Sequence, residues 1–187
     1  MEVDPIRDLG KITEMKMILN GKGGRDRLLF IMGINTALRI SDLLSLTVGD
    51  VMDNEGHISN TVELKEKKTR KTKRFPLNES VRSALSDYLT ERQGCNRSEP
   101  LFPSQKGGTL GRGHAWRIIN AAGKSVGLEN IGTHSLRKTF AYHVYKMTGE
   151  DIGLVQKLLN HSVAKITLRY IGIDRERMDK AFLDLNL

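Results

Sequence analysis

The chain has 187 residues, which is enough for one hydrophobic core and typical of a single domain. Its formal net charge of +8 favours a polyanionic partner, with nucleic acid first and an anionic membrane surface second. The hydrophobic share of 39% is below the globular average, but apolar residues recur along the whole chain, which excludes a disordered protein.

The sequence shows no pattern of export or membrane insertion. No apolar run approaches the roughly 20 residues that span a bilayer, and the N-terminus lacks a signal-peptide pattern. The single cysteine, Cys95, excludes an internal disulfide and fits a reducing compartment. We therefore expect a cytoplasmic protein without a membrane partner.

Apolar residues at helical spacing predict two helices in the first part of the chain. The first runs over residues 6–19, starts at a turn at residues 4–5 and ends at the glycine cluster of residues 21–24. The second runs over residues 25–36. Neither glycine-rich segment of the chain has the spacing of a phosphate-binding P-loop.

Arg39 lies among apolar residues, just before Ser41, which we interpret as the N-cap of a short helix. A buried arginine needs a partner, and Asp42, three residues on, is placed to hold the guanidinium group. The alternative is an ordinary Arg39–Asp42 pair on the surface.

Residues 57–64 alternate with period two and predict a strand, and residues 74–77 close a second strand. Between them lies a strongly basic hairpin tip. Such a tip usually lies against a phosphate backbone, and the alternative is a solvated turn kept soluble by its charge. The residues that we expect to contact DNA here are Lys65, Lys67, Arg70, Lys71, Lys73 and Arg74.

The rest of the chain predicts helices over residues 79–92, 114–126, 133–148 and 152–159 and from about 164 onward. In the helix over residues 114–126, Trp116 and Ile119 are expected to face inward. We expect Arg112, His114 and Arg117 to add contacts to a phosphate backbone. Together these elements predict a mainly α-helical fold with a small antiparallel β-sheet, in the α+β class.

His134 and Arg137 are three residues apart, so a helix places them on one face. Thr133 is a good N-cap, and a cap there puts both side chains and free N–H groups at a helix N-terminus, which favours an anion. His161 and Tyr170 follow, and the set suits a phosphate group and an oxygen nucleophile. The alternative is a chance His-x-x-Arg motif and a packing tyrosine, unless other cations converge on the same phosphate.

In this order the residues resemble the tyrosine recombinase (phage integrase) family. The similar segments are residues 37–43, Lys68 eight residues before Pro76, residues 134–137, residues 158–162, and Tyr170 nine residues after His161. Asn160 stands where the family usually has glycine, a mild change because asparagine also tolerates a left-handed conformation.

The resemblance covers about residues 5–175 and implies the tyrosine recombinase catalytic-domain fold. The family's N-terminal core-binding domain has no counterpart here. We therefore expect residues 1–187 to be a single catalytic domain, either isolated or from a naturally short integrase.

The resemblance implies that Tyr170 attacks a DNA phosphate, forms a 3′-phosphotyrosyl bond and releases a 5′-hydroxyl, with no metal, cofactor or ATP. Arg39, Arg137 and His161 would bind the phosphate oxygens. His134 is the expected base for Tyr170, and Lys68 the expected acid for the leaving oxygen. Lysines close to Lys68 compete for its role. Asp42 would orient Arg39 or His134.

The implied partner is double-stranded DNA, with self-association as a tetramer on DNA and accessory DNA-bending proteins in addition. The tail over about residues 174–187 places Met178, Phe182 and Leu185 at helical spacing, and we expect it to dock in trans on a neighbouring protomer.

Three other functions remain open. A type IB topoisomerase would share the pocket, and a DNA-binding protein without activity would share the fold. A metal-dependent nuclease is the third, but the five histidines are scattered and no carboxylate–histidine cluster has the spacing of metal ligands.

Overall fold

This computed structural model describes residues 3–68 and 70–185, without the side chains of 175–177. The described part contains nine α-helices, one short 3-10 helix at Val48–Asp50 and one two-stranded hairpin. The predicted mainly α-helical fold with a small antiparallel sheet is confirmed. The elements are α1 Leu9–Asn20, α2 Gly24–Asn35, α3 Ile40–Leu43, β1 Thr61–Lys65, β2 Thr72–Pro76, α4 Glu79–Glu91, α5 Arg112–Ser125, α6 Thr133–Met147, α7 Ile152–Leu159, α8 Ala164–Ile171 and α9 Ile173–Asp184.

Helix α2 lies at the centre of the larger hydrophobic core and packs against α1, α4 and α6. Its residues Leu28, Phe30 and Met32 are fully buried. Gly33 lets α6 come close, because a Cβ atom there would lie 2.5 Å from Cδ1 of Leu136. This contact fixes the first turns of α6 against the core.

Strands β1 and β2 pair antiparallel, with Val62 opposite Phe75. Both of these side chains are buried, whereas Thr61, Glu63 and Lys65 on β1 are exposed. The period-two pattern therefore holds the hairpin on the core by one face. The basic turn follows the last pair of the ladder, Lys65 with Thr72.

A second apolar cluster joins α6, α7 and α8. Tyr145, Val155, Leu159 and Ile171 are almost wholly buried in it. This cluster fixes the end of α7 and the whole of α8 relative to α6, so that the residues these helices carry are held in one place.

The tail forms α9, in agreement with its helical spacing, but its apolar side chains are not covered. Met178 is 57% exposed, Phe182 82% and Leu185 65%. Within the described ranges, no helix is long and apolar enough to cross a membrane.

Several predicted boundaries are wrong for local reasons. Helix α1 begins at Leu9 and not at residue 6, because the Asp8 carboxylate accepts hydrogen bonds from the N–H groups of Gly10 and Lys11. The first strand begins at Thr61 and not at residue 57, since the preceding residues form a turn closed by an isolated bridge between Met52 and Ile58.

The predicted helix caps and one predicted core residue also differ. The N-cap of α3 is Arg39 and not Ser41, and the N-cap of α6 is Gly132 and not Thr133. Trp116 was expected inside, but it is 46% exposed beside Gly132, where Ala115 takes the buried position next to it.

Candidate active site

Arg39 is held in place by a carboxylate from the hairpin. Its Nη1 lies 2.7 Å from Oε1 of Glu66, and the Glu66 side chain is almost buried. Asp42 is farther from Nη1, at 4.0 Å. Asp42 instead accepts the backbone N–H of Lys67 at 2.9 Å, so its main contact holds the hairpin turn against α3.

Arg137 is buried on α6 and donates to two backbone carbonyl groups. One is that of Leu159 at the end of α7, at 2.8 Å, and the other is that of Ala37. Ala37 has φ of 53°, a left-handed conformation that is strained for alanine. The guanidinium group thereby joins three separate parts of the chain at one point.

His161 directly follows the helix end at Asn160, which has φ 54° and ψ 46°, the left-handed conformation expected for it. Its ring nitrogen Nδ1 lies 3.1 Å from the hydroxyl oxygen of the buried Thr167. The pKa of His161 is lowered below its usual value by burial first, then by the charges of Arg137 and Arg39. A neutral ring that accepts from Thr167 at Nδ1 carries its proton on Nε2, where it is free to be donated.

Tyr170 lies on α8 with its ring edge-to-face against His161, at 5.1 Å between the ring centroids. The Nζ of Lys138 lies 5.3 Å from the centre of the Tyr170 ring, within range of a cation–π contact. The pKa of Tyr170 is raised above its usual value because burial outweighs the opposing charges of Arg137 and Arg39. Tyr170 therefore lies close to the guanidinium groups of Arg137 and Arg39.

His134 lies in the first turn of α6 with part of its side chain exposed, and it lines a cavity of about 700 Å³ together with Arg39, Lys68 and Arg112. Its pKa is lowered by burial first, then by Arg137, Lys138 and Arg39. His134 is therefore neutral at neutral pH and able to accept a proton.

The basic residues of the hairpin point in different directions. Lys67 and Lys68 are exposed at the turn and line the cavity of Arg39 and His134. Lys73 turns inward, and its Nζ lies 3.4 Å from the carbonyl oxygen of Leu158. His114 is half-buried, whereas the remaining lysines and arginines expected to contact DNA are all exposed, namely Lys65, Arg70, Lys71, Arg74, Arg112 and Arg117.

Of the six residues expected to carry the chemistry, Arg39, Lys68 and His134 line the cavity. His161 and Tyr170 are in ring contact, and Arg137 holds the end of α7 that precedes His161. Sequence reasoning missed Glu66, although an acidic residue inside a basic tip was a visible signal. It also gave Thr167 no role.

One group of possible metal ligands occurs in the described part of the chain. It consists of Asp53, Glu55 and His57, all exposed in the turn before β1. None of the six residues at the cavity belongs to this group.

The model of the phage integrase family matches residues 6–177. "Probable integrase/recombinase YoeC" of Bacillus subtilis is 45% identical over 181 residues, which are 96% of this chain and 95% of that protein. The chain therefore belongs to the phage integrase family, as the resemblance predicted.

Other relatives are longer. The tyrosine recombinase XerC of Herpetosiphon aurantiacus is 29% identical over 94% of this chain, which spans 57% of that protein. The crystal structure of XerA recombinase has a TM-score of 0.74 at 21% identity and covers 97% of this chain and 66% of its own. XerH recombinase bound to its difH substrate in a post-cleavage complex has a TM-score of 0.71 at 24% identity and covers 96% of this chain and 53% of its own. These structures have the same fold.

Proposed function

We propose that this chain is a site-specific DNA recombinase that cuts and rejoins double-stranded DNA through a covalent bond to Tyr170. The observation that carries the proposal is the contact of the Tyr170 ring with His161, at 5.1 Å between the ring centroids, next to the α7 end that the buried Arg137 holds. Family membership and the solved complexes of related folds with DNA support it.

In the proposed reaction, the Tyr170 oxygen attacks a DNA phosphorus and the bond to the 5′-oxygen breaks. The product is a 3′-phosphotyrosyl link and a free 5′-hydroxyl. Attack by a second 5′-hydroxyl reverses the step and releases Tyr170, which completes strand exchange. Each step breaks one phosphate ester bond and forms another, so the bond energy is retained and the proposed reaction requires neither ATP nor a cofactor.

Arg39 and Arg137 bind the non-bridging oxygens, whose negative charge increases in the transition state. His161 donates from Nε2 to the same phosphate, in the tautomer that Thr167 favours. By analogy with an oxyanion hole, each preorganised donor contributes roughly 3 kcal/mol to transition-state stabilisation.

Two groups handle the protons. His134 accepts the proton of Tyr170, for which its lowered pKa keeps it neutral. Lys68, exposed at the hairpin turn beside the cavity, donates a proton to the leaving 5′-oxygen. Asp42 supports both the turn and Arg39 through its contacts with Lys67 and Arg39. The exposed basic residues of the hairpin and of α5 hold the DNA backbone.

The test uses a DNA duplex nicked next to the scissile phosphate, incubated with the protein in EDTA and run on a denaturing gel. We expect a shifted band that protease removes and that Tyr170→Phe lacks, while Tyr170→Phe still binds DNA. Cleavage that EDTA abolishes would favour a metal-dependent nuclease. Binding of the cognate site without any covalent band would favour a DNA-binding protein without activity.

A recombinase must assemble on two DNA sites to exchange strands, whereas a topoisomerase can act on one site, so self-assembly on DNA distinguishes the two activities. We propose that the chain works as one catalytic domain that forms a tetramer on DNA, in the cytoplasm, with its tail in trans. The uncovered apolar residues of α9 support tail docking, and a groove of about 640 Å³ that includes Phe75, Phe140 and Leu158 offers an apolar acceptor surface.

Replacing Phe182 and Leu183 by serine tests this assembly, because both side chains are more than four-fifths exposed and contribute little to the monomer's core. We expect the variant to bind one DNA site but to lose the higher complexes and strand exchange between two sites. A variant that still recombines would contradict tail docking. Recombination that depends on added DNA-bending proteins would support accessory partners.

A further inference from the structure

Lys73 differs from the other basic residues of the hairpin because it faces the protein. On β2 its side chain is half-buried on the same face as Phe75, while its neighbours Thr72 and Arg74 are exposed. Its Nζ lies 3.4 Å from the carbonyl oxygen of Leu158. A lysine on a DNA-binding hairpin is thus turned away from the surface that would meet DNA.

The charged groups around Lys73 come from several elements. Arg137 on α6 and Arg39 before α3 repel its charge, and Glu66 and Asp42 attract it. Burial is the largest influence, and together these effects lower the pKa of Lys73 to about 8. A half-buried ammonium group that two guanidinium groups repel is costly, which points to a role for its contact with α7.

Lys73 and Arg137 bind adjacent carbonyl groups. Lys73 donates to that of Leu158 and Arg137 to that of Leu159, at the end of α7. The last carbonyl groups of a helix have no partner within the helix, and the helix dipole favours cations there. The two side chains therefore fix the last turn of α7, which leads directly into His161.

We propose that Lys73 is a positioning residue that fastens the hairpin carrying Lys68 to the end of α7 carrying His161. The inference rests on the proposed function. It means that Lys68 and His161 are held at a fixed distance from each other by the contact of Lys73 with α7. Lys68 is five residues before Lys73, across the hairpin turn. A displaced strand β2 would move Lys68 relative to His161 and the phosphate between them.

The test compares Lys73→Met with Lys68→Met on two nicked substrates, one with the normal 5′-oxygen and one with sulfur at that bridging position. A thiolate leaves without protonation, so the sulfur substrate restores a variant that lacks only the proton donor. We expect it to restore Lys68→Met. We expect Lys73→Met to be about 10- to 100-fold slower than the wild type on both substrates, as for a misplaced catalytic group.

Lys73→Arg keeps the charge and the donor, and we expect it to recover most of the rate. Lys22→Met, in the turn between α1 and α2, removes the same charge from an exposed position and should leave the rate unchanged. DNA affinity is measured for each variant by a binding titration, and thermal unfolding shows that Lys73→Met is folded.

Restoration of Lys73→Met by sulfur would overturn the proposal, because Lys73 would then be the proton donor itself. A wild-type rate in Lys73→Met, or a defect confined to DNA affinity, would also overturn it. The wild-type protein is the reference in every experiment. Failure of the wild type to cleave either substrate contradicts the proposed function. When the wild type cleaves, the cleavage rates of the Lys73 variants relative to it decide the role of Lys73.

Discussion

The hydroxyl oxygen of Thr167 lies 3.1 Å from Nδ1 of His161, on a residue with no exposed surface. The hydroxyl can donate a hydrogen bond, and the neutral imidazole ring has one nitrogen that can accept it. A neutral ring that accepts this hydrogen bond is held in one orientation and carries its proton on Nε2.

Thr167→Val should therefore impair cleavage without unfolding the protein. Valine has nearly the same shape but no hydroxyl, so His161 is free to rotate or to carry its proton on Nδ1. We expect roughly tenfold slower cleavage of the nicked substrate, as for the loss of one hydrogen bond. Thr167→Ser, which keeps the hydroxyl, is the control and should cleave close to the wild-type rate. Equal rates for valine and serine would contradict the role of the hydroxyl.

Glu66 orients Arg39 and lowers the local positive charge at the same time. Glu66→Ala should slow cleavage about tenfold, because the guanidinium group loses its fixed direction. DNA binding should be equal or tighter, since one negative charge is removed near the phosphate. A titration of DNA binding at constant salt, beside single-turnover cleavage, separates the two effects. Weaker binding together with slower cleavage would show that Glu66 serves the fold and not the direction of Arg39.

Cleavage should fall with acidification below the usual histidine pKa of 6.5. The pKa of His134 and that of His161 are lowered by burial and by nearby cations, so both rings are neutral at neutral pH. Protonation of His134 removes the base for Tyr170. We expect the single-turnover rate at low protein concentration to decline through a midpoint below 6.5, with a flatter acidic limb in His134→Gln.

The same two shifts affect stability, and the sign follows from proton uptake. The unfolded chain binds protons at a higher pH than the folded chain does, so acidification favours the unfolded state. The contribution of these histidines to the free energy of unfolding is present above 6.5 and is lost as the pH falls. Denaturant titrations at several pH values should show a smaller decline in His134→Gln than in the wild type.

Gly33→Ala should destabilise the fold. The added methyl group would lie 2.5 Å from Cδ1 and 3.0 Å from Cβ of Leu136, at the contact that places α6. We expect a loss of about 1–3 kcal/mol in the free energy of unfolding, as for overpacking in a core. Gly113→Ala, with no atom within 4 Å of the added carbon, is the matched control and should leave the melting temperature equal or slightly higher. A normal melting temperature for Gly33→Ala would show that Leu136 can move aside.

Local patterns were sufficient for most elements of the fold. The helix over residues 152–159 was predicted to the residue, because Asp151 caps its start and Asn160 ends it. Boundaries failed where a side chain offered a competing local contact, as Asp8 does at the start of α1. The prediction that Trp116 is buried was wrong because apolar spacing alone does not show which side of a helix another element covers.

The sequence by itself determined the order and type of the residues that define the family, from Arg39 to Tyr170, and the α+β class of the fold. Those features depend on the spacing of residues along the chain, which the sequence gives directly.

Only the tertiary structure decided how these residues are held. Arg137 binds the carbonyl group of Ala37, 100 positions away, and Arg39 pairs with Glu66, 27 positions away. In the tertiary structure, Lys73 points inward, whereas the other basic side chains of the hairpin are exposed. The physical reason is that a charge or hydrogen-bonding group buried without a partner is costly, and the groups that become neighbours in space are set by packing and not by sequence separation.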